Sequence, residues 1–223
     1  MFYGEYRSNP ERSAVHVWKG DASGLSWKAI WRFDGVRHIH GVYHDPFADS
    51  LWVTTGDRDS EAAFWRTDDR FTTLTKVVGG CQRFRAVQLL FTEEYVYFGS
   101  DSPVECNHIY RMKRNGEDCQ RLAAVGNPVF YGCQIARCLF FSTAVEPSRV
   151  NVEPYAEIWG SADGARWRPI RRFRKDRWPM KWFQYGQVHF PAGPGDGQHL
   201  WYTPMATEHD HTVWKVPLDV LFG

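Results

Sequence analysis

Apolar and polar residues alternate along this chain in short runs, separated by turns rich in Gly, Asp, Ser and Pro. A period of two over such runs is the pattern of half-buried strands, and no segment of ten residues carries the 3.6 period of an amphipathic helix. The runs recur in fours, about every 45–55 residues. First runs are His38 to Tyr43, Phe84 to Leu90, Val129 to Ile135 and Phe183 to His189. Second runs are Leu51 to Thr54, Tyr95 to Phe98, Cys138 to Phe141 and Leu200 to Thr203. Third runs each carry an aromatic just before a polar turn, at Trp18, Trp65, Tyr110, Trp159 and Trp214. Fourth runs are Leu74 to Val78, Gln120 to Val125 and Arg168 to Phe173.

Strand-only repeats of this size predict an all-β fold, a β-propeller of about five four-stranded blades. The predicted blades cover residues 1–35, 36–80, 81–126, 127–175 and 176–223 of a single domain. Phe2 to Tyr6, Ala14 to Lys19 and Trp27 to Phe33 read as strands two to four of the first blade, and the last blade ends after its third run. Either Val216 to Phe222 supplies the missing pairing, or the chain is short of its family's length; an open array would leave an edge at which a second copy could pair.

Composition narrows the class. Aromatics make up 16% of the 223 residues, including 11 Trp, which suits strands stacked face to face. Most of these rings are expected between blades. A formal charge of +1 provides no general attraction to nucleic acid or membrane, so recognition must come from a local site. No apolar stretch is long enough to cross a bilayer, and Met1 to Glu5 does not read as a signal peptide. The five cysteines are odd in number and lack a CxxC pair, which suggests reduced thiols and a cytoplasmic setting.

Three turns share a plan: Gly20 to Trp27, Thr67 to Leu74, and Ser161 to Trp167. The last reads Ser161-Ala162-Asp163-Gly164-Ala165-Arg166-Trp167. Hydroxyl and carboxylate can bond turn backbone, Gly takes a positive φ, and Trp closes the turn below. These turns resemble the Asp-box, or BNR, repeat of the sialidase-like propeller superfamily. That resemblance implies a structural turn on the face away from any active site. Sialidases also carry an Arg-Ile-Pro segment, an arginine triad and a Tyr/Glu pair. No Arg-Ile-Pro occurs here, so the implication is fold rather than typical sialidase activity. The chain also looks like BNR-repeat proteins associated with bacterial polysaccharide metabolism, which implies a carbohydrate ligand.

Alignment of the repeats locates the candidate chemistry. Loops from second to third runs place Asp57, Asp101 and Glu146 in one register, and Glu208 in the last unit. Segments entering the first runs bring His38, His40, Arg85, Lys175, Gln184 and Tyr185 to the same end. Carboxylates and amides bond vicinal hydroxyls, and aromatic faces stack on pyranose rings. The expected ligand is an acidic polysaccharide or oligosaccharide. Asp57, Asp101, Glu146 and His40 are the candidate catalytic groups; Arg85, Lys175, Gln184, Tyr185 and His38 are the candidate substrate contacts. Two carboxylates in range could run glycosidic hydrolysis, and Arg with His or Tyr could serve a uronate lyase. The alternatives are a non-catalytic lectin or a protein-interaction scaffold, and acids that only cap their own turns.

Weaker patterns remain. His38 and His40, with His44 or Asp45 nearby, form a conceivable metal pair, but the expectation is no metal and no cofactor. His209-Asp210-His211 falls in a predicted loop. Arg166, Arg168, Arg171, Arg172, Arg174, Lys175 and Arg177 form the strongest basic cluster, a solvated face or a polyanion contact.

Overall fold

A computed structural model describes residues 1–193 and 195–223. Five antiparallel sheets of three or four strands follow one another along the chain. The first holds β1 (Phe2–Gly4), β2 (Val15–Gly20) and β3 (Trp27–Phe33), in that order. The second holds β4 (Ile39–Asp45), β5 (Ser50–Thr55), β6 (Ala63–Thr67) and β7 (Thr75–Gly79). The third contains the hairpins β8 (Leu89–Phe91) with β9 (Val96–Gly99) and β10 (Asn107–Met112) with β11 (Gln120–Val125). The fourth holds β12 (Val129–Ile135), β13 (Cys138–Thr143), β14 (Tyr155–Ser161) and β15 (Arg168–Arg174). The fifth holds β16 (Gln187–His189), β17 (His199–Met205) and β18 (Trp214–Pro217).

The chain divides into two compact units, residues 1–100 with 112–119, and residues 101–111 with 120–223. Inside the first, Val15, Val17, Phe33, Ile39 and Val53 build a buried core. Inside the second, Phe140, Ile158, Phe173, Leu200, Tyr202 and Val216 do the same. Central strands β5, β9 and β13 are buried along their whole length, the burial expected of strands covered on both faces.

The aromatic marks have a structural cause. Beside each of four marks the pairing with the outermost strand slips by one residue: at Val17/Trp18, Phe64/Trp65, Ile109/Tyr110 and Ile158/Trp159. A bulge bends its strand and re-aims the next side chain. The indole N–H groups then find local acceptors: Trp18 at Glu5 (2.8 Å), Trp65 at Thr55 (3.0 Å) and Trp159 at Glu157 (2.9 Å).

The shared turns form as their residues require. Asp163 Oδ1 accepts the N–H groups of Ala165 (2.9 Å) and Arg166 (2.8 Å), while Gly164 sits at φ 71° and the Trp167 indole donates to its carbonyl. Asp69 accepts from the Thr73 N–H at 2.9 Å. In the first sheet Trp27 donates to the Gly24 carbonyl at 3.0 Å, with Gly24 at φ 72°.

Three strand expectations need correction: the run from Phe183 to His189 becomes a strand only at Gln187, where β16 begins. Gln82–Phe84 is a 3-10 turn rather than the start of a strand, and β8 begins only at Leu89. Leu218–Phe222 is a short helix, α1, so it supplies no outer strand. Its Phe222 ring packs 5.7 Å from Phe140 and its Leu221 is buried, so apolar burial against the sheet wins over edge pairing. All five cysteines are free thiols, and among the described residues no helix is long and apolar enough to cross a membrane.

Candidate functional site

Each unit gathers its own set of polar groups. In the first unit the set centres on Asp57. Gly56 turns the chain at φ 73°, immediately after β5, and delivers Asp57 beside the start of β4. There the β4–β5 register slips between Ile39 and Gly41, leaving His40 as the extra residue of a bulge. His38 and His40 consequently approach the same carboxylate. His38 Nε2 lies 3.2 Å and His40 Nε2 3.6 Å from Asp57 Oδ1. Arg37 Nη1 donates to Oδ2 at 2.8 Å, and Arg85 Nε stands 3.6 Å from Oδ1. The Tyr6 ring stacks on His38 at 4.1 Å.

Asp57 does not cap its own turn. Glu61 does so, its Oε2 accepting the Asp57 N–H (3.5 Å) and the Arg37 N–H (3.0 Å), while its Oε1 accepts from Arg12 Nε (2.8 Å). Glu61, Arg37 and Tyr6 were not among the expected site residues. Arg37 was signalled only by standing next to His38, and Glu61 only by standing four residues after Asp57 in a Gly-led turn.

The electrostatics follow from this packing. Burial would raise the Asp57 carboxyl. The His38 contact and the Arg85 charge outweigh it and hold the group far below the usual carboxylate range. Burial, then the neighbouring His38, push the His40 imidazole down to about 4. His40 is therefore neutral at pH 7; its Nε2–H donates to the Gly56 carbonyl at 2.9 Å, which leaves Nδ1 without a partner.

The second unit collects Asp101, Glu146 and Tyr185. An isolated bridge between Val145 and Gly186 makes neighbours of Glu146 and Tyr185. Burial, then the charge of Glu146 and a hydrogen bond to it, raise the Tyr185 hydroxyl, and Asp101 adds to the shift. Lys175 does not join them as a free cation: its ammonium donates to Asp176 and to the Trp178 carbonyl (3.0 Å). Gln184 is exposed, and its Oε1 accepts the Tyr185 N–H at 3.2 Å. The expectation that aromatics lie between blades fails here. Trp178 is 51% exposed, Phe183 55% and Trp182 75%, on a turn closed by N–H groups of Trp182 and Phe183 on the Pro179 carbonyl. The Arg177 guanidinium lies 5.4 Å from the Trp178 ring and the Lys181 ammonium 5.0 Å from the Trp182 ring. The signal for this turn was four aromatics and cations crowded around Pro179.

Other expected chemistry is accounted for by packing. Asp45, five residues beyond His40 at the far end of β4, is paired with Arg114 at 2.6 Å, and His44 with Asp49 at 3.2 Å, so neither reaches the histidine pair. The His209 ring packs on Phe173 and Trp214, and Asp210 accepts the Ala206 N–H at 2.6 Å. Within the basic cluster, Arg166 pairs with Asp163, and Arg172 with Glu153 and Glu157.

No known protein family matches the sequence, and no curated protein matches it closely enough to count as a relative. Solved structures do match in shape. The nidogen/laminin complex aligns over 96% of this chain and 74% of its own, at 13% identity and a TM-score of 0.58. TolB from Acinetobacter baumannii aligns over 94% and 51%, at 13% identity and 0.55. The fold is a β-propeller. The dihydro-heme d1 dehydrogenase NirN, in complex with DHE, aligns over 93% of this chain and 43% of its own, at 12% identity and 0.54. At such identities the propeller likeness carries the architecture and no chemistry. The chain spans about half the length of the TolB and NirN structures or less of it, and three quarters of the first.

Proposed function

We propose that this propeller is a binding protein, and that its second unit recognises an acidic carbohydrate through the turn from Arg177 to Tyr185. The observation that carries the reading is the exposure of Trp178, Trp182 and Phe183 on one short turn with Arg177 and Lys181 lying over the indoles. Flat apolar rings stack on pyranose faces, and the adjacent cations suit a uronate or sulfate group. Arg177 and Lys181 have no carboxylate partner among the described residues, so their charge remains for a ligand. Asp101, Glu146 and Tyr185 of the same unit would bond ligand hydroxyls. The Asp-box resemblance of the turns at Asp69 and Asp163 is consistent with a superfamily rich in glycan-binding propellers.

The protonation states of Asp57 and Tyr185 fit binding better than the acid or base roles in cleavage. A glycosidase needs a carboxyl that keeps its proton near neutrality. Asp57 cannot, since its neighbours hold it ionised. Tyr185 is raised, which suits a hydrogen-bond donor and disfavours a lyase base. A glycan array bearing uronate, sulfate and neutral sugars tests the reading. Acidic hits that vanish in Trp182→Ala and weaken in Lys181→Ala are expected. An array with no hits would leave the protein-interaction scaffold as the better account. Release of shortened products from a hit would assign cleavage to Glu146 and Asp101.

A further inference from the structure

We propose that His38, His40 and Asp57 form a binding site for a divalent transition-metal ion, with zinc the best fit. One nitrogen from each imidazole and one carboxylate oxygen fall within 4.8 Å of one another, and among the described residues no other three such groups do. The His38 and His40 side chains are 5% and 1% exposed, and Asp57 is 11% exposed. Three side chains are therefore already converged and desolvated, although His40 and Asp57 are separated by a whole hairpin turn of chain.

The second observation is a set of unmet polar atoms. His38 Nε2, His40 Nδ1 and Asp57 Oδ1 are all buried and make no well-directed hydrogen bond. Orphaned buried groups are rare in native structures, and three in one cluster ask for a common partner. Imidazole nitrogens and a carboxylate oxygen are all lone-pair donors, so a partner common to the three is a Lewis acid. Two imidazole nitrogens and one carboxylate oxygen are a donor set for zinc or another first-row divalent ion, with further positions open to water.

The surroundings resemble an outer shell. Arg37 Nη1 holds the far carboxylate oxygen, Oδ2, at 2.8 Å, and the His40 Nε2–H on the Gly56 carbonyl fixes that ring. Partners of this kind orient ligands in metal sites. Arg85 acts in the opposite sense. Its Nε stands 3.6 Å from the ligating oxygen, so its positive charge repels an incoming cation. The site is thus ready in geometry and held weak by one charge.

The test is isothermal titration of the whole, chelator-treated protein with zinc chloride, repeated with cobalt chloride to read visible absorption. One equivalent should bind the wild type, with cobalt bands in the visible that zinc quenches. His38→Ala/His40→Ala should lose that equivalent, and Asp57→Asn should weaken it about tenfold or more. Arg85→Ala should bind more tightly than wild type. The double variant keeps all five free thiols, so the equivalent it loses is read as this site's and not theirs. Zinc binding that is absent in both wild type and Arg85→Ala, or that persists unchanged in the double histidine variant, overturns the proposal. If the double variant is misfolded by circular dichroism, His38→Gln and the Arg85→Ala comparison decide.

Discussion

A carboxylate that accepts backbone N–H groups is held ionised by them, and its charge state becomes part of the turn. Asp163 shows this most plainly: the Arg166 N–H, joined by the Ala165 N–H and the Arg166 side chain, holds its carboxyl well below the usual range against the opposing effect of burial. Because the folded value is depressed, the stabilisation is complete above the ordinary carboxylate pKa and fades as pH falls toward the folded value. Asp163→Ala should therefore cost about 1 kcal/mol at neutral pH. The gap in urea midpoint between variant and wild type should narrow below about pH 4. An undiminished gap at pH 2 would mean the carboxylate charge is not what holds the turn. Asp57 is the more consequential acid. Asp57→Ala removes the anion that Arg85 and the half-exposed Arg37 share, and should destabilise the protein by about 1–2 kcal/mol in equilibrium unfolding.

At the scale of elements, bulges and glycine turns set the positions that chemistry uses. Gly56 sits at φ 73°, and a Cβ there would meet the Glu61 backbone carbon at 2.5 Å and oxygen at 2.6 Å. Gly56→Ala should therefore cost more than about 1 kcal/mol and push Asp57 away from His38, visible as a lowered melting temperature together with weakened zinc binding. A stability loss with zinc affinity intact would place Asp57 outside the metal site. Four of the five third-strand aromatics were readable from the sequence because each marks a bulge, which repeats with the blade. Strands β11 and β12 could be placed residue for residue from alternation. The first-strand run at Phe84 was misread because Gln82 turns back: its Nε2 donates to the Asp57 carbonyl and to Asp59, holding a 3-10 turn where alternation suggested a strand. The convergence of His38, His40, Arg85 and Asp57 was legible from blade register. The pairing of Glu61 with Arg12 was not, since it joins residues forty-nine positions apart in the chain. Nor did aromatic content separate packed rings from presented ones: Trp52 and Trp182 look alike until Pro179 and two flanking cations are weighed.

For the whole molecule, a formal charge of +1 means that no long-range field gathers an anionic polymer to the surface. Any preference for acidic glycans must then come from a few local cations, chiefly Arg177 and Lys181. Their reach in physiological salt is a Debye length of about 8 Å, comparable to one sugar residue. Binding should accordingly fall only modestly with ionic strength, since stacking on Trp182 and Trp178 is not screened. Raising salt from about 50 to 500 mM should weaken binding of an acidic oligosaccharide by about tenfold, far less than a polyanion-binding protein with many ion contacts would lose. In Lys181→Ala that salt dependence should shrink while residual binding persists; in Trp182→Ala the remaining binding should be weak with its salt dependence unchanged. Surface plasmon resonance across a salt series reads both. A steep salt dependence that neither substitution alters would shift recognition to the arginine-rich strand β15, where Arg168, Arg171, Arg172 and Arg174 are exposed.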